Sequence, residues 1–540
     1  MRHTIFSGLT KTLMALGILV IMAACQDLHV ENPNNPDRDR ALDEPDDVMV
    51  LVQSSWVSWY WRHHRSCWPG YALWGMGGEQ TTTVGNCGAW PWGVSQPGSR
   101  YNNSTSSNEV SVAQSPWYNL YTDLSSANDG LRAIDAGMTF DDDGQDDTPM
   151  VEAFAHLAWG LNMGMIAKHF DRAFIVRHDD DLEDPDTYET HPWPDVRDAA
   201  VAALMRAVEV ADANSFTVPN NWINGIAMSD GLLSQVAHTY AALLHVYTAR
   251  TPEDRAAVDW NQVLFHLDRG ITEPFSMLAA SGEGPYSLYR FRIAATGTFS
   301  WRTNLWLLGP GDTSGKWQDW VATPVTDRRQ FVIESADRRI HPEGDPMQEG
   351  EDVDFSVQYF QYRDFDVFND ARGLHNFSNY AYMRGSQDWV STGNYWNTDI
   401  DIFHPDELAL IRAEAYLHLG QEQAAADILN DFRARGELPP VTPAGVPQSA
   451  DCVPQTTTGA CGDLYDALKW ERAIELVGLR GIRAYYDRRG LGQLVCGVPM
   501  HFPIPARELE AQLMPVYSFG GEGREGGLAE PHCYSVVGSS

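Results

Sequence analysis

Residues 408–420 read LALIRAEAYLHLG and residues 424–435 read AAADILNDFRAR, and these two stretches decide the fold class of the chain. In both, apolar residues recur every three or four positions, which places them on one face of a helix. Asp406 is expected to cap the first helix and Gly420 to end it. Two amphipathic helices joined by such a short break form an αα-hairpin, the unit that stacks into tetratricopeptide-like arrays.

Similar periodicity occurs in the N-terminal half of the chain. Apolar stripes at helical spacing predict helices over residues 46–61, 117–128, 154–170 and 232–247, and a further stripe over residues 260–267 follows a helix-start signal at residues 251–253. No clean 34-residue period is present, so the hairpins are degenerate as repeats. The predicted fold class is mainly α, built of tetratricopeptide-like helical hairpins.

Two segments, residues 62–115 and 285–400, lack helical periodicity. They combine many Gly and polar residues with Trp and Tyr. This composition predicts long loops and a few short strands, laid over a helical body that extends from residue 46 to residue 540.

The N-terminus has the features of an export signal. A positive start, an apolar run over residues 13–22 and two small alanines precede Cys25. The sequence MAAC at residues 22–25 resembles a bacterial lipobox, which predicts a signal peptide over residues 1–24 and lipid attachment at Cys25. The apolar run is too short to span a bilayer, which needs about 20 residues. Residues 25–45, with their Asn-Pro steps, are expected to form an extended tether.

The chain is strongly acidic, with a formal net charge of −35 at pH 7. Because binding to nucleic acid depends on Lys and Arg that neutralise phosphates, this charge argues against a nucleic-acid partner. An anionic membrane surface would be repelled as well. The acyl chains on Cys25 are therefore expected to hold the protein at the membrane on their own.

Six cysteines remain after Cys25, an even number in a chain expected to reach an oxidising space. Pairing of neighbours would join Cys67 to Cys87, Cys452 to Cys461 and Cys496 to Cys533, although six cysteines allow 15 pairings. Metal binding by these cysteines is weakly supported, because no C-x-x-C pair occurs and none has a histidine at zinc-finger spacing.

Further motifs follow the hairpin: WERAIEL at residues 470–476, Arg483 with DRR at 487–489, and PIP at 503–505. In this order and spacing they resemble the SusD/RagB family. The resemblance implies a SusD-like fold and a non-enzymatic outer-membrane lipoprotein without a cofactor. Such a protein lies over a TonB-dependent (SusC-like) transporter and captures a nutrient, commonly an oligosaccharide, at the cell surface.

The charged residues of these motifs are interpreted as structural. Glu471, Arg472, Glu475, Arg483 and Asp487 lie at spacings that allow ion pairs along and between helices. We therefore expect them to stabilise the fold and to take no part in chemistry.

Candidate ligand-binding residues occur where aromatic and polar side chains mix. Sugar rings present apolar faces that aromatic side chains cover well, while the hydroxyl groups need amide, carboxylate or guanidinium partners. Residues 68–101 and residues 301–306 supply both kinds of side chain. The predicted ligand-binding residues are Trp74, Trp90, Trp92, Tyr101, Trp301 and Trp306. The alternative is that several of these residues belong to the core, as Trp usually does.

Catalytic and metal motifs are weak or absent. The acidic run at residues 141–147 lacks the order of an EF-hand loop and is predicted to be a solvated loop without metal. No H-E-x-x-H or G-x-S-x-G motif occurs. A glycosidase, however, needs only two suitably spaced carboxylates, which the sequence cannot exclude. A glycoside hydrolase and a protein-binding surface scaffold therefore remain the alternatives to a binding lipoprotein.

Overall fold

A computed structural model describes most of the chain. The described residues are 42–64, 69–70, 72–78, 80–81, 101–107, 110–142, 144–279, 302–324, 327–341, 354–363, 378–384, 398–479, 481–494 and 498–518. Within them no helix is both long enough and apolar enough to cross a membrane.

Helices form the body of the described chain. The N-terminal helices are α1 (Pro45–His64), α2 (Ala72–Met76), α3 (Ser111–Asp135), α4 (Thr148–His169), α5 (Trp193–Ala213), α6 (Asp230–Tyr247), α7 (Pro252–Ala256) and α8 (Trp260–Leu267). The C-terminal helices are α9 (Leu305–Leu308), α10 (Lys316–Ala322), α11 (Pro405–His418), α12 (Glu422–Arg435), α13 (Leu464–Glu475), α14 (Arg483–Gly490) and α15 (Ala506–Ala511). Short 3₁₀ helices cover Pro185–Tyr188 and Gly309–Gly311.

The strands are short and pair two by two, always antiparallel. The pairs are β1 (Gln80–Thr81) with β9 (Arg302–Thr303), β2 (Asp141–Asp142) with β3 (Gln145–Asp146), β4 (Arg172–Phe174) with β5 (Thr190–Pro192), β6 (Thr217–Ile223) with β7 (Ile226–Ser229), β8 (Phe275–Ala279) with β12 (Thr398–Phe403), and β10 (Phe360–Tyr362) with β11 (Tyr380–Tyr382).

Each helix of the body packs on the next one in a continuous array. The order of contact is α1, α3, α4, α5, α6, α8, α11 and then α12 with α13. The contact between α8 and α11 joins the two halves of the chain, and the pairing of β8 with β12 supports the same junction. The predicted mainly α fold, with tetratricopeptide-like hairpins and few strands, is confirmed.

Helix α4 lies at the centre of the N-terminal array because two glycines admit its neighbours. A Cβ atom on Gly160 would lie 2.7 Å from Leu204 of α5, and one on Gly164 would lie 2.7 Å from Leu244 of α6. Neither distance is possible for real atoms in contact. The spacing of four residues therefore lets α5 and α6 approach the same helix closely.

Two details of the predicted helices are wrong. Asp406 does not cap α11: the cap is His404, whose Nδ1 accepts from the Asp406 backbone N–H at 3.1 Å. Pro405 takes the first helical position, which proline favours because its missing N–H would have no partner there. The start signal at Thr251 opens only the short helix α7, and α8 has its own cap in Asp259.

The segment between α12 and α13 contains the disulfide Cys452–Cys461, so this predicted pair is confirmed. The other cysteines assigned a role, Cys25, Cys67, Cys87, Cys496 and Cys533, lie outside the described residues. Their lipidation and pairing stay predictions.

A buried ion-pair network connects four helices of the body. Arg255 of α7 donates to Glu414 of α11 at 2.7 Å and to Asp487 of α14 at 2.9 Å. Arg472 of α13 donates to the same two carboxylates, at 2.8 and 2.6 Å. All four side chains are at most 1% exposed. We call this set the Arg255 network.

The structural role predicted for the other C-terminal charges is also confirmed. Arg339 binds Glu471 and Glu475, each at 2.7 Å, with all three side chains fully buried. Arg483 binds Glu407 of α11 at 2.8 Å. These contacts join α13 and α14 to segments far away in the sequence.

His169, at the end of α4, is buried in a neutral form. Its Nε2 lies 3.0 Å from the Val112 carbonyl oxygen, which can only accept, so Nε2 carries the proton. Its Nδ1 therefore accepts from the Tyr486 hydroxyl at 2.9 Å. Burial lowers the pKa of His169 to about 3, further assisted by nearby arginines.

We predict that Glu414→Gln lowers the free energy of unfolding by about 3 to 5 kcal/mol, because it leaves Arg255 and Arg472 buried with too few carboxylates. The matched control is Glu209→Gln, which removes one partner of the exposed Arg206 pair and should cost less than about 1 kcal/mol. Urea unfolding of both variants measures the difference. Equal small losses would contradict a structural role for the Arg255 network.

A second prediction concerns acid. The unfolded chain protonates His169 below about pH 6.5, whereas folded His169 stays neutral down to a pKa of about 3. The stability that His169 contributes is therefore present above pH 6.5 and is lost as the pH falls. Between pH 6.5 and 4.5 the wild type should lose about 2 kcal/mol more than His169→Gln. Parallel pH dependences of the unfolding free energy in both proteins would rule this out.

Candidate functional site

The structure joins the two predicted aromatic clusters through one strand pair. Gln80 of β1 lies opposite Thr303 of β9, and Thr81 lies opposite Arg302. Residue 81 belongs to the first cluster, residues 68–101, and residues 302–303 belong to the second, residues 301–306. Two polar, tryptophan-rich segments more than 200 residues apart in the sequence thus meet at one place.

Two of the predicted ligand residues lie next to this strand pair but are buried. Trp74 is in α2, just before β1, and Trp306 is in α9, just after β9. Each is 1% exposed and belongs to the main hydrophobic core. A ligand could reach these rings only if the covering chain moved, so their direct contact with a sugar stays a prediction.

Tyr101 packs in a different environment. It is 2% exposed, its ring lies edge-on to Phe502 with 5.2 Å between centroids, and its hydroxyl donates to Asn103. Asn103 in turn bonds the backbone at Ile504 and Tyr517. Tyr101 therefore contributes to the packing of the C-terminal segment, and its role in ligand binding stays a prediction. Trp90, Trp92 and Trp301 lie outside the described residues.

The site also contains two tryptophans that sequence analysis missed. Trp317 and Trp320 of α10 stack with 5.4 Å between ring centroids, and Trp306 lies edge-on to both, at 5.4 and 5.2 Å. The Asp312 carboxylate accepts from the Trp317 backbone N–H in the first turn of this helix. A Trp-x-x-Trp spacing, which places both rings on one face of a helix, was the available signal.

Arg328 completes this group. Its guanidinium carbon lies 4.3 Å from the centroid of Trp320 and 5.3 Å from that of Trp306. Its Nε and Nη2 donate to the Thr323 and Val321 carbonyls at 3.0 and 2.9 Å. Burial lowers the pKa of Arg328 to about 10, so the group stays charged at neutral pH. We call Trp306, Trp317, Trp320 and Arg328 the tryptophan cluster.

The strand pair β10–β11 lies against the same site. The Ser378 hydroxyl donates to the Thr303 carbonyl of β9 at 2.6 Å. Tyr362 and Tyr380 form an edge-on pair at 5.4 Å, and the Tyr380 hydroxyl accepts from the Ile333 N–H at 3.0 Å. Strand β9 is thus bonded to Ser378, next to β11, and it is followed directly by α9, which carries Trp306 of the tryptophan cluster.

This set of side chains is suited to binding. Where movement of the covering chain admits a polar ligand, the aromatic faces provide apolar contact area and the Arg328 guanidinium provides hydrogen-bond donors. Within the part of the chain that the structure describes, no group of three or more His, Cys, Asp or Glu side chains is placed to hold a metal ion.

The chain is similar to proteins of known family and fold. Residues 292–480 match the family model described as the SusD family. This match includes the α11–α12 hairpin and the WERAIEL motif, and it confirms the resemblance to the SusD/RagB family stated from those residues. No curated protein matches the chain.

Solved structures agree with this assignment of the fold. A SusD superfamily protein from Bacteroides vulgatus ATCC 8482 matches with a TM-score of 0.51 and 14% identity, over 91% of this chain and 98% of that chain. A SusD superfamily protein from Parabacteroides distasonis ATCC 8503 matches with a TM-score of 0.53 and 14% identity, over 86% of this chain and 97% of that chain.

Proposed function

We propose that this chain, with its SusD-like fold and its SusD-family match over residues 292–480, is a lipid-anchored nutrient-binding protein of the outer-membrane surface. It binds oligosaccharides or similar polymer fragments and delivers them to a SusC-like TonB-dependent transporter. The observation that carries the binding function is the pairing of β1 with β9, because it brings both predicted ligand segments together beside the tryptophan cluster.

The chemistry of the junction supports a carbohydrate ligand. An indole or phenol ring can cover the C–H face of a sugar, and each aromatic side chain buries about 150 to 250 Å². The strand pair joins residues 80–81 to residues 302–303, and the two segments that it connects contain the amide, carboxylate and guanidinium residues that sugar hydroxyls need. Aromatic and polar residues occur in both segments, and the pairing of β1 with β9 brings the two segments together.

Membrane attachment is proposed to depend on Cys25. The net charge of −35 disfavours attraction to an anionic membrane. The described helices include none that could cross a bilayer. The acyl chains on Cys25 remain the proposed anchor, with residues 25–45 as the tether.

We predict that Cys25→Ala releases a folded, soluble protein from the membrane fraction. Lipid attachment contributes about 0.8 kcal/mol for each buried CH₂ group, and this substitution removes all of it. Fractionation of cells that lack the transporter measures the effect, and Cys461→Ala serves as a control that changes a cysteine without affecting the anchor. Persistence of the Cys25→Ala protein in the outer-membrane fraction would refute the anchor.

For the ligand, we predict that Trp90→Ala, Trp92→Ala or Trp301→Ala weakens glycan binding by at least about tenfold with little change in melting temperature. Trp117→Ala is the contrasting control: Trp117 is 1% exposed and packs on Phe170, so its loss empties a core position and should lower the free energy of unfolding by about 3 to 5 kcal/mol. Calorimetric titration and thermal melts measure both quantities. Loss of stability without loss of affinity in the first three variants would place those residues in the core.

Two alternatives are separated by direct experiments. A glycoside hydrolase would shorten a bound glycan, so chromatography of the glycan after incubation shows either an unchanged ligand or products. A protein-binding scaffold would retain no glycan and would purify without a transporter. Tight binding of an unchanged glycan supports the proposed function over both.

A further inference from the structure

The tryptophan cluster contains hydrogen-bond donors without acceptors. The Nη1 group of Arg328 and the indole Nε1 groups of Trp317 and Trp320 are buried and make no hydrogen bond. The three residues are 0%, 1% and 4% exposed. A buried donor that has lost water and gained no acceptor costs free energy, and three of them lie within one set of touching rings.

Among the described residues Arg328 has no carboxylate partner, a feature that it shares with Arg250 and Arg489, which are held by backbone carbonyls. It differs from those two in contacting Trp320, a tryptophan whose indole Nε1 also lacks an acceptor. Arg255, Arg339, Arg472 and Arg483 each bind one or more carboxylates. Arg328 bonds two backbone carbonyls and two aromatic rings, and within the described chain it forms no ion pair. Its positive charge is therefore left without a counter-charge in a protein whose net charge is −35.

The partner that these donors lack is an anionic hydrogen-bond acceptor. A carboxylate or sulfate oxygen only accepts hydrogen bonds, which suits three donors that lack acceptors. A negative charge also pairs with the buried guanidinium, and charge-assisted hydrogen bonds are the strong ones. A neutral hydroxyl group would satisfy a donor but would leave the charge uncompensated.

We propose that the tryptophan cluster binds the anionic substituent of the captured glycan, either the carboxylate of a uronic acid or a sulfate ester. This inference rests on the proposed function and deepens it, because it states which class of oligosaccharide the β1–β9 junction selects. The rings of Trp317 and Trp320 and the guanidinium of Arg328 supply the donors. The acidic surface elsewhere does not favour anions, so selectivity arises at this cluster.

The test compares charged and neutral ligands of the same size. Sodium glucuronate, glucose 6-sulfate and glucose are titrated into the detergent-solubilised full-length protein at constant ionic strength, and tryptophan fluorescence reports binding. We expect glucuronate or glucose 6-sulfate to bind at least about tenfold more tightly than glucose. The comparison of the two anions distinguishes a carboxylate site from a sulfate site.

Variants identify the residues responsible. Arg328→Gln should abolish the preference for the anion, whereas Arg206→Gln, which removes an exposed arginine of α5, should leave the preference unchanged. Trp320→Phe removes the Nε1 donor together with the five-membered ring of the indole. Trp260→Phe makes the same change at another tryptophan that is 4% exposed and whose Nε1 makes no hydrogen bond, and it should leave anion binding unchanged. Trp320→Phe should lower the melting temperature by a similar amount and, unlike that control, should weaken anion binding severalfold. This variant keeps the test decisive if Arg328→Gln fails to fold.

Three outcomes would overturn the inference. If glucose and the two anions bind with equal affinity, Arg328 is only a structural cation and the inference fails. The proposed function still stands in that case if the protein binds other glycans. If the anion preference survives both Arg328→Gln and Trp320→Phe, the anion binds elsewhere. If no glycan of any charge is retained by the wild type, the proposed function fails and this inference fails with it.

Discussion

Two arginines and two carboxylates, buried together, hold the C-terminal helices to the rest of the chain. Arg255, Glu414, Arg472 and Asp487 come from four different helices and exchange hydrogen bonds of 2.6 to 2.9 Å. Removing four charges from water is expensive, and the cost is offset only when every charge meets its partner in good geometry. The network therefore tolerates one arrangement of α7, α11, α13 and α14.

The candidate site depends on this arrangement through a sequence of contacts. Helix α14, which carries Asp487, packs against α2, and α2 leads directly into β1. Strand β1 pairs with β9, which leads into α9 and Trp306 of the tryptophan cluster. On the other side, α9 contacts α13, which carries Arg472. The helices thus position the candidate site, whose strands and connecting segments are short, as is common where a rigid scaffold carries loops.

The buried arginines of this protein fall into two groups with different consequences. Those with carboxylate partners stabilise the fold, because removing one partner would leave an unpaired buried charge and lower the free energy of unfolding. Arg250, Arg489 and Arg328 are held by backbone carbonyls instead. Of these, Arg328 contacts Trp320, and both its Nη1 and the Trp320 Nε1 lack an acceptor, so its environment is incomplete. Sites that bind ligands often retain such incompletely satisfied groups, because the ligand supplies what the protein lacks.

The sequence alone determined those features of this protein that depend on residues close together in the chain. Helical periodicity, the short separation of two cysteines and the spacing of charges in the WERAIEL motif are such local patterns. These features predicted the α11–α12 hairpin, the Cys452–Cys461 bridge and the structural role of Glu471 and Arg472, all of which the structure confirms. Only the tertiary structure decided which aromatic residues are covered and which segments meet. The burial of Trp74 and Trp306, the pairing of β1 with β9 and the contact of Arg328 with Trp320 depend on the whole chain. Exposure is set by residues distant in the sequence, and composition carries no information about them.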